Sequence, residues 1–200
     1  MTNLNSTPVL ILASGSPRRF ELLAGLGIRL TVKKPNIDEN NVKADNPAKL
    51  VAKLAETKAR AVYNGDKTLI AADTIVVCDD KILGKPKDSV DAIKMWEQMS
   101  NRVHRVYTGY CILTENNSVV RTVKSEVKFV KITRQMMDSY LKTDEWKDKA
   151  GGYAIQGITS FWIEYIHGSY TNVIGLPLAE VVSDLMKLHP EWNTFPWKEG

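Results

Sequence analysis

Apolar positions along this chain follow two periods. Short β-branched runs at Val9 to Ala13, Arg29 to Lys33, Thr68 to Cys78, Arg102 to Thr114, Ser118 to Ile132 and Phe161 to Ile166 read as strands. Stretches with apolar residues three and four apart read as helices. These are Pro17 to about Leu26, Asn46-Pro47 to about Tyr63, a segment after Pro86 to Asp88 reaching about Met99, Arg134 to Lys142, and Leu176 to Leu188. Ser16 stands where a helix N-cap belongs, Pro17 suits the first helical position, and Gly27 closes that helix. Asp79-Asp80 makes a tight turn into a short strand, Lys81 to Leu83, and Glu115-Asn-Asn117 joins two long strands that read as antiparallel. Asn36 to Asp45 is a polar loop and Ala150 to Ser160 a Gly-rich one. The mixture predicts an α/β fold with a mixed, partly antiparallel sheet flanked by helices.

The pattern breaks at one place. The run Leu69-Ile-Ala-Ala-Asp-Thr-Ile-Val-Val77 has the content of a buried strand, yet Asp73 sits in its middle. A carboxylate there costs several kcal/mol, on the order of the penalty per buried ion, unless a partner compensates. Folding gives no reason for it; binding a cation or moving a proton does.

Composition narrows the setting without choosing the chemistry. Two hundred residues, 44% hydrophobic and 25% charged, suit one domain over residues 1–200. The net charge of +4, from 27 basic and 23 acidic residues, is too mild to argue for nucleic acid and suits a small anionic ligand. Apolar runs fall short of the roughly 20 residues a membrane span needs. The first eight residues lack the basic start of a signal peptide. Cys78 and Cys111 lie in strand-like runs and read as buried free thiols, so a cytoplasmic protein is expected. The tail, residues 189–200, has no clear period and is left unassigned.

Four segments carry candidate chemistry. Ser14-Gly-Ser-Pro-Arg-Arg19 lies between a strand and a helix, where backbone N–H groups attract anions. Arg18 and Arg19 in the first turn oppose the helix dipole unless an anion binds; the plainer reading is a capped helix with two solvated arginines. Lys58 falls on the apolar stripe of the helix from Pro47, either snorkelling to water or aimed into a cleft. Gly84-Lys85-Pro86 holds Lys85 on a fixed turn, a weak signal alone. Gly151-Gly-Tyr-Ala-Ile-Gln-Gly157 has three glycines in seven residues, and Gln156 offers a donor and an acceptor suited to a base edge. The histidines 104, 167 and 189 are scattered and receive no role, while Met95, Trp96 and Met99 read as core. With Asp38, Glu39 and Asp73 as oxygen donors for a hard metal, the pieces form a nucleotide-hydrolysing layout.

Ordered motifs then match a known family. The chain resembles the Maf family of nucleoside triphosphate pyrophosphatases over about residues 9–188. The resemblance rests on Leu10-Ile-Leu-Ala-Ser-Gly-Ser-Pro-Arg-Arg19, Asp38-Glu39, Leu54-Ala-Glu-Thr-Lys-Ala59, Ala72-Asp-Thr-Ile-Val76, Leu83-Gly-Lys-Pro86, Val106-Tyr-Thr-Gly109, Lys149-Ala-Gly-Gly-Tyr-Ala-Ile-Gln-Gly157 and Val173-Ile-Gly-Leu-Pro-Leu178. It implies two lobes with a central cleft, as in inosine triphosphate pyrophosphatases. It implies hydrolysis between the α- and β-phosphates, with Asp73 as proton acceptor. Lys85 and Glu39 would assist the chemistry, and Glu39 with Asp73 would hold Mg²⁺ or Mn²⁺. Ser14, Ser16, Arg19 and Lys58 would bind the triphosphate. The subgroup acting on dTTP and UTP carries Arg, Thr and Gln at its specificity positions, here Arg18, Thr74 and Gln156; the form acting on 7-methyl-GTP carries Trp, Gln and Glu instead. Thr74 or nearby backbone is expected to hold the Gln156 amide in one orientation. Lys53 stands where an arginine is common. The expected partner is a nucleoside triphosphate, with no nucleic acid or membrane; a homodimer is compatible with the sequence. Two other readings stay open: a house-cleaning pyrophosphatase for other or modified nucleotides, and a nucleotide-sensing regulator of septum formation.

Overall fold

The computed structural model describes residues 9–192. Seven strands form one sheet: β1 (Val9–Ala13), β2 (Arg29–Val32), β3 (Leu69–Cys78), β4 (Lys81–Leu83), β5 (Val103–Leu113), β6 (Ser118–Phe129) and β7 (Ile163–His167). Their order is β2-β1-β3-β5-β6-β7, with β4 paired to β3. The β1 pairings are parallel; all the others are antiparallel. Among the described residues six α-helices flank the sheet: α1 (Pro17–Ala24), α2 (Pro47–Val62), α3 (Ser89–Met99), α4 (Arg134–Leu141), α5 (Tyr170–Ile174) and α6 (Leu178–Leu188). The predicted mixed α/β sheet is therefore observed. Among the described residues no helix is long and apolar enough to cross a membrane.

Local chemistry explains where the helices begin. Asn46 accepts the Lys49 N–H and Pro47 follows at the first helical position of α2; Asp88 accepts the Asp91 N–H at the start of α3. At α1 the expected cap works differently. Ser16 holds the cap position but its side chain makes no capping bond; the Ser14 hydroxyl accepts the Ser16 N–H at 3.1 Å instead.

Strand alternation divides the core around β3. Leu69 and Ala71 pack with Ala55 and Ala59 of α2, and Ile75 and Val77 pack with Val51. On the opposite face Ile70 and Ala72 join Leu10, Leu23 and Leu185, whereas Val76 and Cys78 join Trp96, Phe129, Tyr140 and Trp162. Thr74 is the polar position between those two clusters. The cysteines are buried and free, as expected.

Two predicted elements differ. The strand expected from Phe161 begins at Ile163, because 158–162 winds into a 3₁₀ turn with Phe161 facing out. The five-residue α5 lies where no element was predicted. Residues 190–192 of the unassigned tail form one 3₁₀ turn, and 193–200 lie outside the described residues.

Candidate active site

β3 presents two neighbouring polar residues to opposite faces. Asp73 points toward α2, where it is only 8% exposed, and accepts a hydrogen bond from Lys58 Nζ at 2.5 Å. Lys58 Nζ also lies 2.8 Å from Glu39 Oε1. Of the two readings of Lys58, the structure bears out the one aimed inward: its ammonium is buried between two carboxylates. Gly109 sets this geometry. It is the β5 partner of Asp73, and a Cβ there would stand 2.3 Å from the Val51 carbonyl carbon and oxygen. Only glycine lets α2 lie this close, which carries Lys58 over Asp73. Glu39 arrives from an exposed 3₁₀ turn, Glu39–Asn41, capped by Asp38, which accepts from Asn40 N and Asn41 Nδ2. Asp38 is thus occupied in shaping the loop.

Thr74 faces the other side and begins a directed chain. Arg19 donates Nη2 to Thr74 Oγ1 at 3.0 Å, Nη1 to Ser14 Oγ at 3.2 Å and Nε to the Gly175 carbonyl at 2.8 Å. Thr108 donates its hydroxyl to the Asn172 carbonyl at 3.0 Å, so its 2.9 Å contact with Thr74 is one that Thr74 donates. Arg19 is thereby fixed in one pose, with two N–H groups left over. Burial lowers its pKa from the usual arginine value, and the nearby Asp73 charge raises it. Ser14 accepts from both Arg19 and the Ser16 N–H, leaving its own O–H free to donate. The Lys34 stem packs 3.5 Å from the position a Gly15 Cβ would take, adding a cationic side chain beside this loop. The segment Ser14 to Arg19 is therefore a concentration of donors and positive charge suited to an anion.

Arg18 acts electrostatically on Arg19, whereas no contact of Lys85 or Gln156 with these clusters is seen among the described residues. Burial lowers the Arg18 pKa, while Glu21 and Tyr140 raise it. Lys85 is exposed and makes no ion pair among the described residues. Its turn is tied to the Gly-rich loop, because Gly151 N donates to the Gly84 carbonyl at 3.0 Å. Gln156 projects from that loop, exposed. No hydrogen bond joins Thr74 to Gln156; Thr74 is committed to Arg19 and Thr108, so the expectation that Thr74 orients the amide is replaced by other contacts. Trp96 Nε1 donates to the Gly152 carbonyl at 3.0 Å, and the Tyr153 hydroxyl meets His104 Nε2 at 2.8 Å.

The donor set suits a hard cation in part. Asp73 and Glu39 converge on one point of positive charge, now the Lys58 ammonium, and carboxylates with phosphate oxygens are the usual ligands of Mg²⁺. Among the described residues no group of three His, Cys, Asp or Glu side chains could hold a metal. Substrate oxygens would have to complete any such shell. A cavity of about 380 Å³ lies elsewhere, between α4 and the 158–162 turn, and includes none of these side chains.

Residue-by-residue reading missed Thr108, Gly109, the Gly175 carbonyl and Lys34. The first two stand in Val106-Tyr-Thr-Gly109, quoted as a motif without a role; a threonine and glycine opposite an acid-bearing strand was the available signal.

Comparison with known proteins places the chain among characterised sequences and folds. The sequence profile of the family described as "Maf-like protein" matches residues 9–188. A dTTP/UTP pyrophosphatase of Pyrococcus furiosus is 43% identical over 175 residues, covering 86% of this chain and 92% of that protein. One from Clostridioides difficile is 42% identical over 190 residues, covering 93% and 97%. Among solved structures, a HAM1 protein from Coxiella burnetii superposes with a TM-score of 0.51 at 15% identity, over 92% of this chain and 99% of that one. That likeness shows the fold.

Proposed function

Because the chain belongs to the Maf-like protein family, we propose that it hydrolyses dTTP and UTP to the nucleoside monophosphate and pyrophosphate. The observation that carries the chemistry is the buried Asp73 carboxylate held by Lys58, on the strand that also anchors Arg19 beside an anion-attracting helix start. Water attacks the α-phosphorus, its proton passes to Asp73, and the bond to the β-phosphate oxygen breaks. Charge builds on the leaving pyrophosphate. Arg19, the Ser14 hydroxyl and the free N–H groups of α1 bind it, and Lys85 adds a cation from its turn. Lys58 holds the Asp73 carboxylate in position as the proton arrives. Through the carboxylate oxygens that Lys58 does not engage, Glu39 and Asp73 would hold a divalent cation, Mg²⁺ or Mn²⁺, which when bound would neutralise phosphate charge.

We assign base choice to Arg18, Thr74 and Gln156, which match the pattern of the dTTP/UTP subgroup that the sequence resembles. Thymine and uracil present O4 as an acceptor beside N3–H as a donor, and a glutamine amide meets both at once. Thr74 contributes by fixing Arg19. A turnover screen over dTTP, UTP, CTP, dATP, dGTP and 7-methyl-GTP, with Mg²⁺ and with Mn²⁺, tests the reading. dTTP and UTP are expected to react well above the purines, because a polar site rejects a base that leaves its own groups unpaired. A preference for purine triphosphates contradicts it.

A further inference from the structure

Gln156 reads a base only as well as its backbone is held, since its side chain is exposed and bonds to no other described residue. Its backbone forms a tight turn, with Gly157 N donating to the Ala154 carbonyl at 2.9 Å. Before Gln156, Thr159 Oγ1 brackets Ala154, accepting from its N–H at 3.2 Å and donating to its carbonyl at 2.8 Å. After Gln156, the Ile158 N–H donates to Glu145 Oε2 at 3.1 Å. That carboxylate comes from the segment following α4. It makes no salt bridge among the described residues, so its charge is directed at a backbone N–H.

Gly157 is what admits it. A Cβ at that position would stand 2.1 Å from Glu145 Oε2. The carboxylate therefore lies where a side chain would otherwise be, against the residue next to Gln156. Glu145 is itself braced. Its N–H donates to Thr143 Oγ1 at 3.3 Å, and its carbonyl accepts from the Lys149 ammonium. Lys149 has its pKa lowered by burial first and by the Arg18 charge next.

We propose that Glu145 is a specificity-determining positioning residue: its carboxylate, seated against Gly157, fixes the turn that presents the Gln156 amide to the pyrimidine. The proposal rests on the function proposed above. A residue that merely stabilised the loop would affect all substrates alike. Glu145 acts through Gln156, so its loss falls on the discrimination between a 4-keto and a 4-amino pyrimidine.

The test measures the ratio of kcat/KM for dTTP to that for dCTP. Glu145→Ala is expected to lower this ratio about tenfold, the scale of one charge-assisted hydrogen bond. Glu145→Gln, which keeps an acceptor oxygen, should retain most of it. Gly157→Ala displaces the carboxylate without touching Glu145, and its extended backbone (φ −101°) tolerates alanine; it should reproduce the loss, and it keeps the test open if Glu145→Ala fails to fold. In a Gln156→Ala background, removing Glu145 should bring no further fall in the ratio. A selective wild type whose ratio is unmoved by Glu145→Ala and Gly157→Ala overturns this proposal alone, as does a loss that multiplies with that of Gln156→Ala. A wild type that turns over dTTP and dCTP alike overturns this proposal and the role given to Gln156, whereas a preference for purine triphosphates defeats the function reading, and this proposal with it.

Discussion

At the scale of single residues the site is organised by charge placed where folding alone would avoid it. Arg19 is the clearest case. It sits in the first turn of α1, against the helix dipole, yet three of its N–H groups are fixed by Ser14, Thr74 and Gly175. Such a group is pre-positioned for an anion and pays little ordering cost when the anion arrives. Lys85 differs: it is a cation on a constrained turn, with no ion pair among the described residues. Alanine at either position is expected to lower kcat/KM for dTTP by about tenfold or more, as charge-assisted bonds are worth roughly 1.5–3 kcal/mol. Lys187→Ala serves as a control, since that side chain is 67% exposed and far from the cluster in sequence. Steady-state kinetics on the three variants checks this, and equal losses at all three would refute the assignment.

At the scale of elements the decisive contact is α2 against β5 at Gly109. Gly109→Ala would force a Cβ into the Val51 backbone, at a cost of about 1–3 kcal/mol typical of overpacking. The same shift would lift Lys58 from Asp73. A lower urea midpoint together with a lower kcat is the expected result, and unchanged values for both would show that α2 has room. The long strands, α2 and α3 were legible in the sequence because their periods run for many residues and Asn46, Pro47 and Asp88 mark their starts. Asp73 was legible as an acid inside an apolar run. α5 was not, because five residues cover little more than one turn and show no period. The last two residues of the turn at 158–162 were read as the beginning of a strand because Phe161 and Trp162 have strand-like side chains. Ser14 and Ser16 show how local rules mislead: capping logic favours Ser16, but Arg19 draws on Ser14, and the Gly175 carbonyl that fixes Arg19 is a backbone atom without a sequence signature.

At the scale of the whole molecule, each face of β3 carries two apolar clusters, and the breaks between them hold Thr74 on one face and Asp73 on the other. One cluster contains a buried histidine. His104 contacts Tyr153 and packs against Phe129, and burial lowers its pKa to about 3. Its folded pKa lies below its unfolded value of about 6.5, so its contribution to stability is present above that pH and is lost as pH falls toward about 3. Between pH 7 and pH 5 the loss should be about 2 kcal/mol. Urea melts of wild type and His104→Gln at both pH values check it: the wild type should lose about that much more stability than the variant, and identical losses would contradict the assignment. The central claim is that Asp73 directs water to the α-phosphorus of a pyrimidine nucleoside triphosphate. Hydrolysis of dTTP in ¹⁸O-labelled water, followed by mass spectrometry of both products, tests it most directly. The account predicts label in the monophosphate and none in pyrophosphate, with turnover reduced about 10²–10⁴-fold in a folded Asp73→Asn variant. Label in the pyrophosphate, or near-normal turnover by Asp73→Asn, would contradict it.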